Sequence, residues 1–224
     1  MKKIIGYFSL SLFILCLCFN KKLTNNLDHF FPITKIQVEA PFLYVDKQSI
    51  QAIITDHTQS GLLSVNSASI KKTLYTLPLV RQVSVKKIWP GTLFIKINER
   101  RPIAIFNDTK LLDEQGELFK SNNVSTENLA KLHGMAGCEK ELLHEYKKLS
   151  RLLISVSLTL NLLEIRPSMI TLVTIDGLKV LLSNKGAEEQ LLRFIHVYPE
   201  LVKKRSTSIQ RVDMRYKHGL AVKW

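Results

Sequence analysis

Residues 77–106, LPLVRQVSVKKIWPGTLFIKINERRPIAIF, contain two alternating runs on either side of a short turn. Val83 and Val85 alternate with polar neighbours in the first run. The second run repeats the alternation with apolar residues at Leu93, Ile95 and Ile97. A period of two is typical of a half-buried strand, and Trp89-Pro90-Gly91 between the runs is typical of a turn. The stretch therefore predicts a β-hairpin with one buried face.

The segment before this hairpin predicts one strand and two helices. Residues 33–38, ITKIQV, alternate as a strand does. Asp46 and Asn66 each precede a helix-like apolar pattern, so both are candidate N-caps, and Pro78 ends the second helix. The order strand, helix, helix, strand, strand predicts a three-stranded sheet that two helices cover on one face.

Beyond residue 103 the pattern changes to short strands, tight turns and two helices. A hairpin with a glycine-containing loop is predicted over residues 111–119, and strands over 158–165, 169–175 and 178–182. Asp176-Gly177 indicates a type I′ turn between the last two strands. Amphipathic helices are predicted over 139–156 and 188–202, and a terminal hairpin over 212–224. The fold class is α+β: a β-α-α-β-β module, then a β-rich domain with two packing helices.

The N-terminus carries an apolar run over residues 4–19 between Lys3 and Lys21. Sixteen helical residues span about 24 Å, and the flanking lysines can extend to the headgroups of a core about 30 Å thick. A cleaved signal peptide is the alternative, but no small-x-small cleavage motif follows the run. We therefore expect a cytoplasmic tail at 1–3, a single transmembrane helix at 4–22 and a linker at 23–32.

The net charge is +13, with lysines dispersed along the chain rather than gathered in runs. This dispersion favours a solvated basic face near a membrane over nucleic-acid binding. Of the three cysteines, two lie in the N-terminal apolar run, which leaves Cys138 without a disulfide partner in the soluble part. No cysteine pair or histidine pair has the spacing of a zinc site.

The sequence gives little support for catalysis. It contains no G-x-S-x-G, P-loop, G-x-G-x-x-G or H-E-x-x-H motif. Glu99 with Asp108 or Asp113 is the only candidate carboxylate pair, and Glu99 is better interpreted as an ion pair with the adjacent Arg100 and Arg101. We expect no enzyme activity and no cofactor.

Two motifs carry a resemblance to a known family. The first is Leu77-Pro78, a basic strand, Trp89-Pro90, an alternating strand, and Glu99-Arg100 before Pro102. It closely resembles the POTRA module of the bacterial cell-division family FtsQ/DivIB. The second motif, Val212-Asp213-Met214-Arg215-Tyr216 followed by Gly219 and Trp224, resembles the C-terminal signature of that family. The resemblance implies a POTRA-like domain at 33–105 and an FtsQ-type β domain at 106–224.

The resemblance also implies a function. Members are bitopic scaffolds of the divisome that link early and late division proteins during septum formation. This chain would lie in the inner (cytoplasmic) membrane at the septum, with its N-terminus cytoplasmic and its C-terminal domains periplasmic. The implied partners are FtsB and FtsL, with an upstream recruiter such as FtsK at the POTRA module. The alternative is a POTRA-containing secretion or outer-membrane assembly factor that binds peptides as a chaperone does.

The last strand is the expected partner-binding edge, because no later strand follows it in the sequence. By resemblance, Arg215 would bind a carboxylate of FtsB, Tyr216 would supply apolar contact area, and Gly219 would permit the turn and a close backbone approach. Arg166 matches a second basic position of the family. The implied partner-binding residues are Arg166, Arg215, Tyr216, Gly219, Leu220, Val222 and Trp224.

Overall fold

A computed structural model describes residues 30–122, 124–204, 208–217 and 219–224. The chain divides into two units between Arg100 and Arg101. This division lies five residues before the expected boundary at 105/106, because Pro102–Phe106 is a strand that pairs within the second unit. The tail, the anchor expected at 4–22 and most of the linker lie outside the described residues. Within the part of the chain that is described, no helix is long and apolar enough to cross a membrane.

The first unit has the β-α-α-β-β order that the sequence predicts. Its central strand runs parallel to one neighbour and antiparallel to the other, so the strand order is β1-β3-β2. The elements are β1 (Lys35–Glu39), α1 (Lys47–His57), α2 (Ser67–Leu74), β2 (Val80–Ile88) and β3 (Thr92–Glu99).

Both predicted N-caps are confirmed. Asp46 accepts a hydrogen bond of 2.8 Å from the backbone N–H of Ser49 at the start of α1. The Asn66 side chain accepts bonds of 3.0 and 3.1 Å from the N–H groups of Ala68 and Ser69 at the start of α2. These bonds satisfy backbone donors that the first turn of a helix leaves without intrahelical partners.

The hairpin has the predicted buried face. Val85 lies opposite Ile95 and Val83 opposite Ile97, and all four side chains are buried. The helices contribute buried residues to the same unit at Ile50, Ile54, Ile70 and Leu74. The predicted core of this unit is therefore confirmed.

The second unit contains a nine-stranded sheet and two helices. The strand order is β12-β11-β10-β9-β8-β7-β4-β5-β6. The strands are β4 (Pro102–Phe106), β5 (Lys110–Asp113), β6 (Leu118–Phe119), β7 (Ala130–His133), β8 (Leu160–Arg166), β9 (Met169–Thr174), β10 (Lys179–Leu182), β11 (Arg211–Asp213) and β12 (Ala221–Lys223). The helices are α3 (Glu139–Ile154) and α4 (Ala187–Lys204).

One apolar core holds the helices of the second unit to the sheet. It combines strand residues with the apolar stripe of each helix, as the amphipathic patterns predict. Its fully buried members include Leu163, Leu172, Val180, Val212, Leu149, Leu153, Leu191 and Phe194.

The turn at Asp176-Gly177 differs from the prediction. A type I′ turn needs positive φ at both central residues, but here Gly177 has φ +83° and Asp176 is not left-handed. The Gly177 N–H donates to the Thr174 carbonyl, and Val173 pairs with Lys179, so the loop is longer than two residues. The strands still pair as expected, because the glycine supplies the single left-handed position that a longer hairpin loop requires.

Candidate partner-binding edge

β12 is the terminal strand of the nine-stranded sheet, as the sequence predicts. It pairs antiparallel with β11, where Val222 lies opposite Val212 and Ala221 opposite Asp213. Within the described ranges, no strand pairs with its other side. An edge strand presents backbone N–H and C=O groups that an extended segment of another chain can bind.

Side chains alternate along this edge strand. Ala221 and Lys223 are exposed, whereas Leu220, Val222 and Trp224 are partly buried. Leu220 packs against the core of the second unit. The inner face thus fixes the strand to the domain and leaves its outer edge accessible.

A row of three basic residues crosses the sheet to this edge. Lys179 on β10 lies opposite Arg211 on β11, and Arg211 lies opposite Lys223 on β12. All three residues are exposed. Neighbours in register project from the same face of a sheet, so these cations share the face opposite the core.

Arg215 forms an ion pair with Asp213. Its Nε donates to Asp213 Oδ1 at 2.9 Å, and its Nη2 donates to Oδ2 at 2.6 Å. The Asp213 side chain is 12% exposed and the Arg215 side chain 45%. The hydrogen bonds from Arg215 hold the pKa of Asp213 below its usual range. The family resemblance implies that Arg215 binds a partner carboxylate. Asp213 already holds its guanidinium, so only the remaining N–H groups can bind another carboxylate.

Arg193 on α4 holds the segment that carries Tyr216. Its Nη1 donates to the Lys217 carbonyl oxygen at 2.7 Å, and its Nη2 to the Met214 and Tyr216 oxygens at 3.1 and 2.9 Å. These bonds satisfy three carbonyl groups in the connection between β11 and β12. Sequence reasoning missed this role, because an arginine beside Phe194 on a helix does not reveal a contact more than 20 residues away.

Tyr216 and Gly219 lie in the connection between β11 and β12. The Tyr216 side chain is 55% exposed, as a contact residue requires. A Cβ added at Gly219 would meet no atom within 4 Å, so the space around this residue does not itself require glycine. The role of Gly219 in the turn stays a prediction. The close approach of a partner backbone at this glycine stays a prediction.

Arg166 does not contact the residues near β12. It ends β8, where its Nη2 lies 2.6 Å from Glu164 Oε1. Strands β8, β10 and β11 run in the same direction, so Arg166 and Arg215 lie at the same end of the sheet. Three strand spacings separate β8 from β11, which is about 14 Å.

The other expected sites have local structural explanations. Glu99 Oε2 accepts hydrogen bonds from the backbone N–H groups of Leu43 and Tyr44, a role that its neighbouring arginines did not indicate. Cys138 is exposed, and its thiol forms no disulfide. Among the residues that the structure describes, no group of three or more acidic, histidine or cysteine side chains could hold a metal ion.

Two family profiles match this chain. The profile of the "POTRA domain, FtsQ-type" matches residues 31–100. The profile of "Cell division protein FtsQ/DivIB, C-terminal" matches residues 104–215. The chain belongs to the FtsQ/DivIB family of cell-division proteins.

Relatives in the FtsQ/DivIB family match over most of both chains. The protein named cell division protein FtsQ from Shewanella oneidensis is 31% identical, over 86% of this chain and 74% of the relative. Its namesakes from Methylomonas methanica and Coxiella burnetii are 30% and 29% identical, over 86% of this chain and 78% and 80% of their own lengths. The resemblance seen in the sequence is thereby confirmed for both domains.

Proposed function

We propose that this chain is a non-catalytic, bitopic scaffold of the divisome that links early and late division proteins. Residues 4–22 anchor it in the inner membrane, with the N-terminus cytoplasmic and the two domains in the periplasm at the septum. Family membership and the apolar run near the N-terminus support this proposal. The absence of recognisable catalytic motifs in the sequence is consistent with it.

FtsB, together with FtsL, binds the second domain by adding a strand to β12. The observation that carries this proposal is the position of β12 at the end of the sheet, where β11 is its only neighbour among the strands that the structure describes. Backbone hydrogen bonds to an incoming strand supply much of the affinity and depend little on the partner's sequence.

Side chains around β12 give the contact its specificity. Tyr216 offers a large, exposed aromatic surface with a polar tip. The row of Lys179, Arg211 and Lys223 favours a partner segment with acidic side chains. Arg215, which is paired with Asp213, keeps further N–H groups for a partner carboxylate at the end of β11. Arg166 provides a second cation at the same end of the sheet for a partner that spans about 14 Å.

Site-specific photo-crosslinking separates strand addition from general attraction to the basic face. A photoreactive amino acid at Lys223 lies on the edge strand, whereas one at Lys179 lies in the same row two strands inward. Both positions are exposed lysines, so each substitution removes one charge from the same row.

An added strand lies about 5 Å from β12 and roughly 14 Å from β10. We therefore expect FtsB to crosslink efficiently at position 223 and weakly at 179 in dividing cells. Equal crosslinking at both positions would indicate a partner that covers the face instead, and crosslinking at 179 alone would remove β12 from the interface.

A second contact, for an upstream recruiter such as FtsK, is proposed at the POTRA domain. A groove of about 350 Å³ lies between β1 and α1, lined by Ile36, Val38, Phe42, Ile50 and Ile54. β1 is also an edge strand of its sheet. Ile36→Glu places a charge in this groove at an exposed position, so it should reduce recruitment of the protein to the septum without unfolding the domain. Normal septal recruitment of this variant would exclude the groove.

A further inference from the structure

The turn between β2 and β3 exposes large apolar side chains. Trp89 is 53% exposed and Ile88 48% exposed, and Phe30, which precedes Phe31 in the sequence, is 73% exposed. The rings of Phe31 and Trp89 pack edge to face with centroids 5.2 Å apart. Exposed aromatic residues that cluster at one point of a domain surface usually mark a contact with another molecule or a membrane.

The segment that follows the predicted anchor is fixed to this same turn. The Gly91 carbonyl accepts hydrogen bonds from the N–H groups of Thr34 and Lys35 at 2.8 and 3.2 Å. A Cβ at Gly91 would lie 2.8 Å from the Pro32 carbonyl oxygen, so only glycine permits this approach. The first residues that the structure describes therefore pack against this turn.

Chain length limits how far this turn can lie from a bilayer. Ten residues, 20–29, separate the end of the apolar run from Phe30. Ten residues span at most about 36 Å when fully extended. The turn is thus the part of the first unit that the sequence ties most closely to the membrane.

The charge around the turn fits an anionic surface. Residues 30–100 contain nine lysines and arginines against four acidic residues, a net charge of +5. Lys86 is exposed next to Ile88 on β2, and Lys35 is exposed where β1 leaves the turn. Aromatic rings prefer the headgroup region of a bilayer, and lysines near an anionic leaflet add about 1 kcal/mol each.

We propose that the β2–β3 turn of the POTRA domain, through Ile88, Trp89 and Phe30 with Lys35 and Lys86, binds the surface of an anionic phospholipid bilayer. The proposal rests on the membrane anchor of the proposed function. Binding holds the first domain against the bilayer and so restricts the orientations in which the scaffold meets its partners.

Tryptophan fluorescence tests this contact in the full chain. The protein has two tryptophans, so Trp224→Phe leaves Trp89 as the single emitter in its native position. The chain is reconstituted in vesicles of phosphatidylethanolamine and phosphatidylglycerol, with and without brominated acyl chains that quench nearby indole rings. We expect brominated lipid to quench the emission of Trp89, and phosphatidylcholine in place of phosphatidylglycerol to reduce the quenching.

The triple variant Trp89→Phe, Tyr75→Trp, Trp224→Phe is a matched control. Tyr75 is 48% exposed, and its hydroxyl accepts a hydrogen bond from Val83, five residues before Ile88 on β2. Five residues of strand place it about 17 Å from the turn. An emitter there should be quenched much less than Trp89, and Lys86→Glu should reduce the quenching of Trp89.

Alkaline carbonate extraction of the same vesicles distinguishes the two possible failures. If the chain stays in the membrane but Trp89 is quenched no more than the control emitter, the surface contact is wrong and the anchor stands. If carbonate removes the chain, the anchor is wrong, and the surface contact that rests on it falls as well.

Discussion

Arg193 donates a hydrogen bond of 2.9 Å to the carbonyl oxygen of Tyr216, 23 residues further along the chain. The same guanidinium also binds the carbonyl oxygens of Met214 and Lys217. A helix residue thereby fixes the backbone next to the proposed contact residue. Arg193 is a positioning residue for the β12 edge.

Arg193→Met should loosen the segment around Tyr216 and leave the fold in place. Met retains the apolar stem and removes the three hydrogen bonds, whose acceptors lie near the surface and can bind water, so we expect a loss of about 1 kcal/mol in unfolding free energy. Binding of FtsB should weaken, and the backbone amides of residues 214–217 should exchange faster. Lys203→Met is the matched control, because it removes a cation from an exposed position of the same helix. Equal binding by the two variants would show that Arg193 does not position the contact.

The Asp213–Arg215 pair gives the β12 edge a defined pH dependence. The pKa of Asp213 lies below its ordinary value of 3.8 because Arg215 donates hydrogen bonds to the carboxylate. A carboxyl whose pKa is lower in the folded state stabilises the fold above its unfolded pKa and loses that contribution as pH falls through the folded pKa. Asp213→Asn should therefore destabilise the second unit at neutral pH and progressively less below pH 3.8.

Urea unfolding followed by Trp224 fluorescence, in a Trp89→Phe background, measures this difference. Asp176→Asn is the control, because Asp176 is exposed in the β9–β10 loop of the same unit. A stability difference between wild type and Asp213→Asn that stays constant from neutral pH to pH 3 would mean that the ion pair does not stabilise this region.

Val85→Asp tests the register of the hairpin in the first unit. Val85 is buried opposite Ile95, so an aspartate there buries a charge without a partner and should cost at least about 3 kcal/mol. Ser84→Asp is the control on the other face, where the new carboxylate lies opposite Lys96. Val85→Asp should lower the melting temperature strongly, and Ser84→Asp should lower it little. Similar melting temperatures for both variants would contradict this register.

Much of the fold follows from local patterns in the sequence. Asp46 and Asn66 were recognisable as caps because their side chains bind N–H groups two or three residues away. The buried faces of β2 and β3 followed from alternation, since a period of two requires only neighbouring residues.

Contacts between distant residues could not be predicted in this way. β10 pairs in parallel with β11, although the whole of α4 separates these two strands in the sequence. No local pattern specifies that β11 is the neighbour of β10. The hydrogen bond from Arg193 to the Tyr216 carbonyl oxygen also joins residues far apart in the sequence, so no local pattern predicts it. Asp213 and Arg215 are only two residues apart, but alternation alone did not show that their side chains bind each other rather than a partner.

Tyr216→Ala separates the binding surface from the fold. The ring is largely exposed, so its removal should leave the melting temperature of the protein nearly unchanged. If the ring contacts FtsB, affinity should fall by more than about 1 kcal/mol, as it does at aromatic contact residues. Isothermal titration with FtsB measures the affinity, and unaltered binding would exclude Tyr216 from the interface.

Hydrogen exchange at residues 221–224 tests strand addition at β12 most directly. The amides of the full chain are followed by mass spectrometry with and without saturating FtsB. Addition of a partner strand predicts slower exchange on this segment, because its outer amides then bind carbonyl groups of FtsB. Unchanged exchange at 221–224, with protection elsewhere in the second domain, would contradict strand addition and move the partner site away from β12.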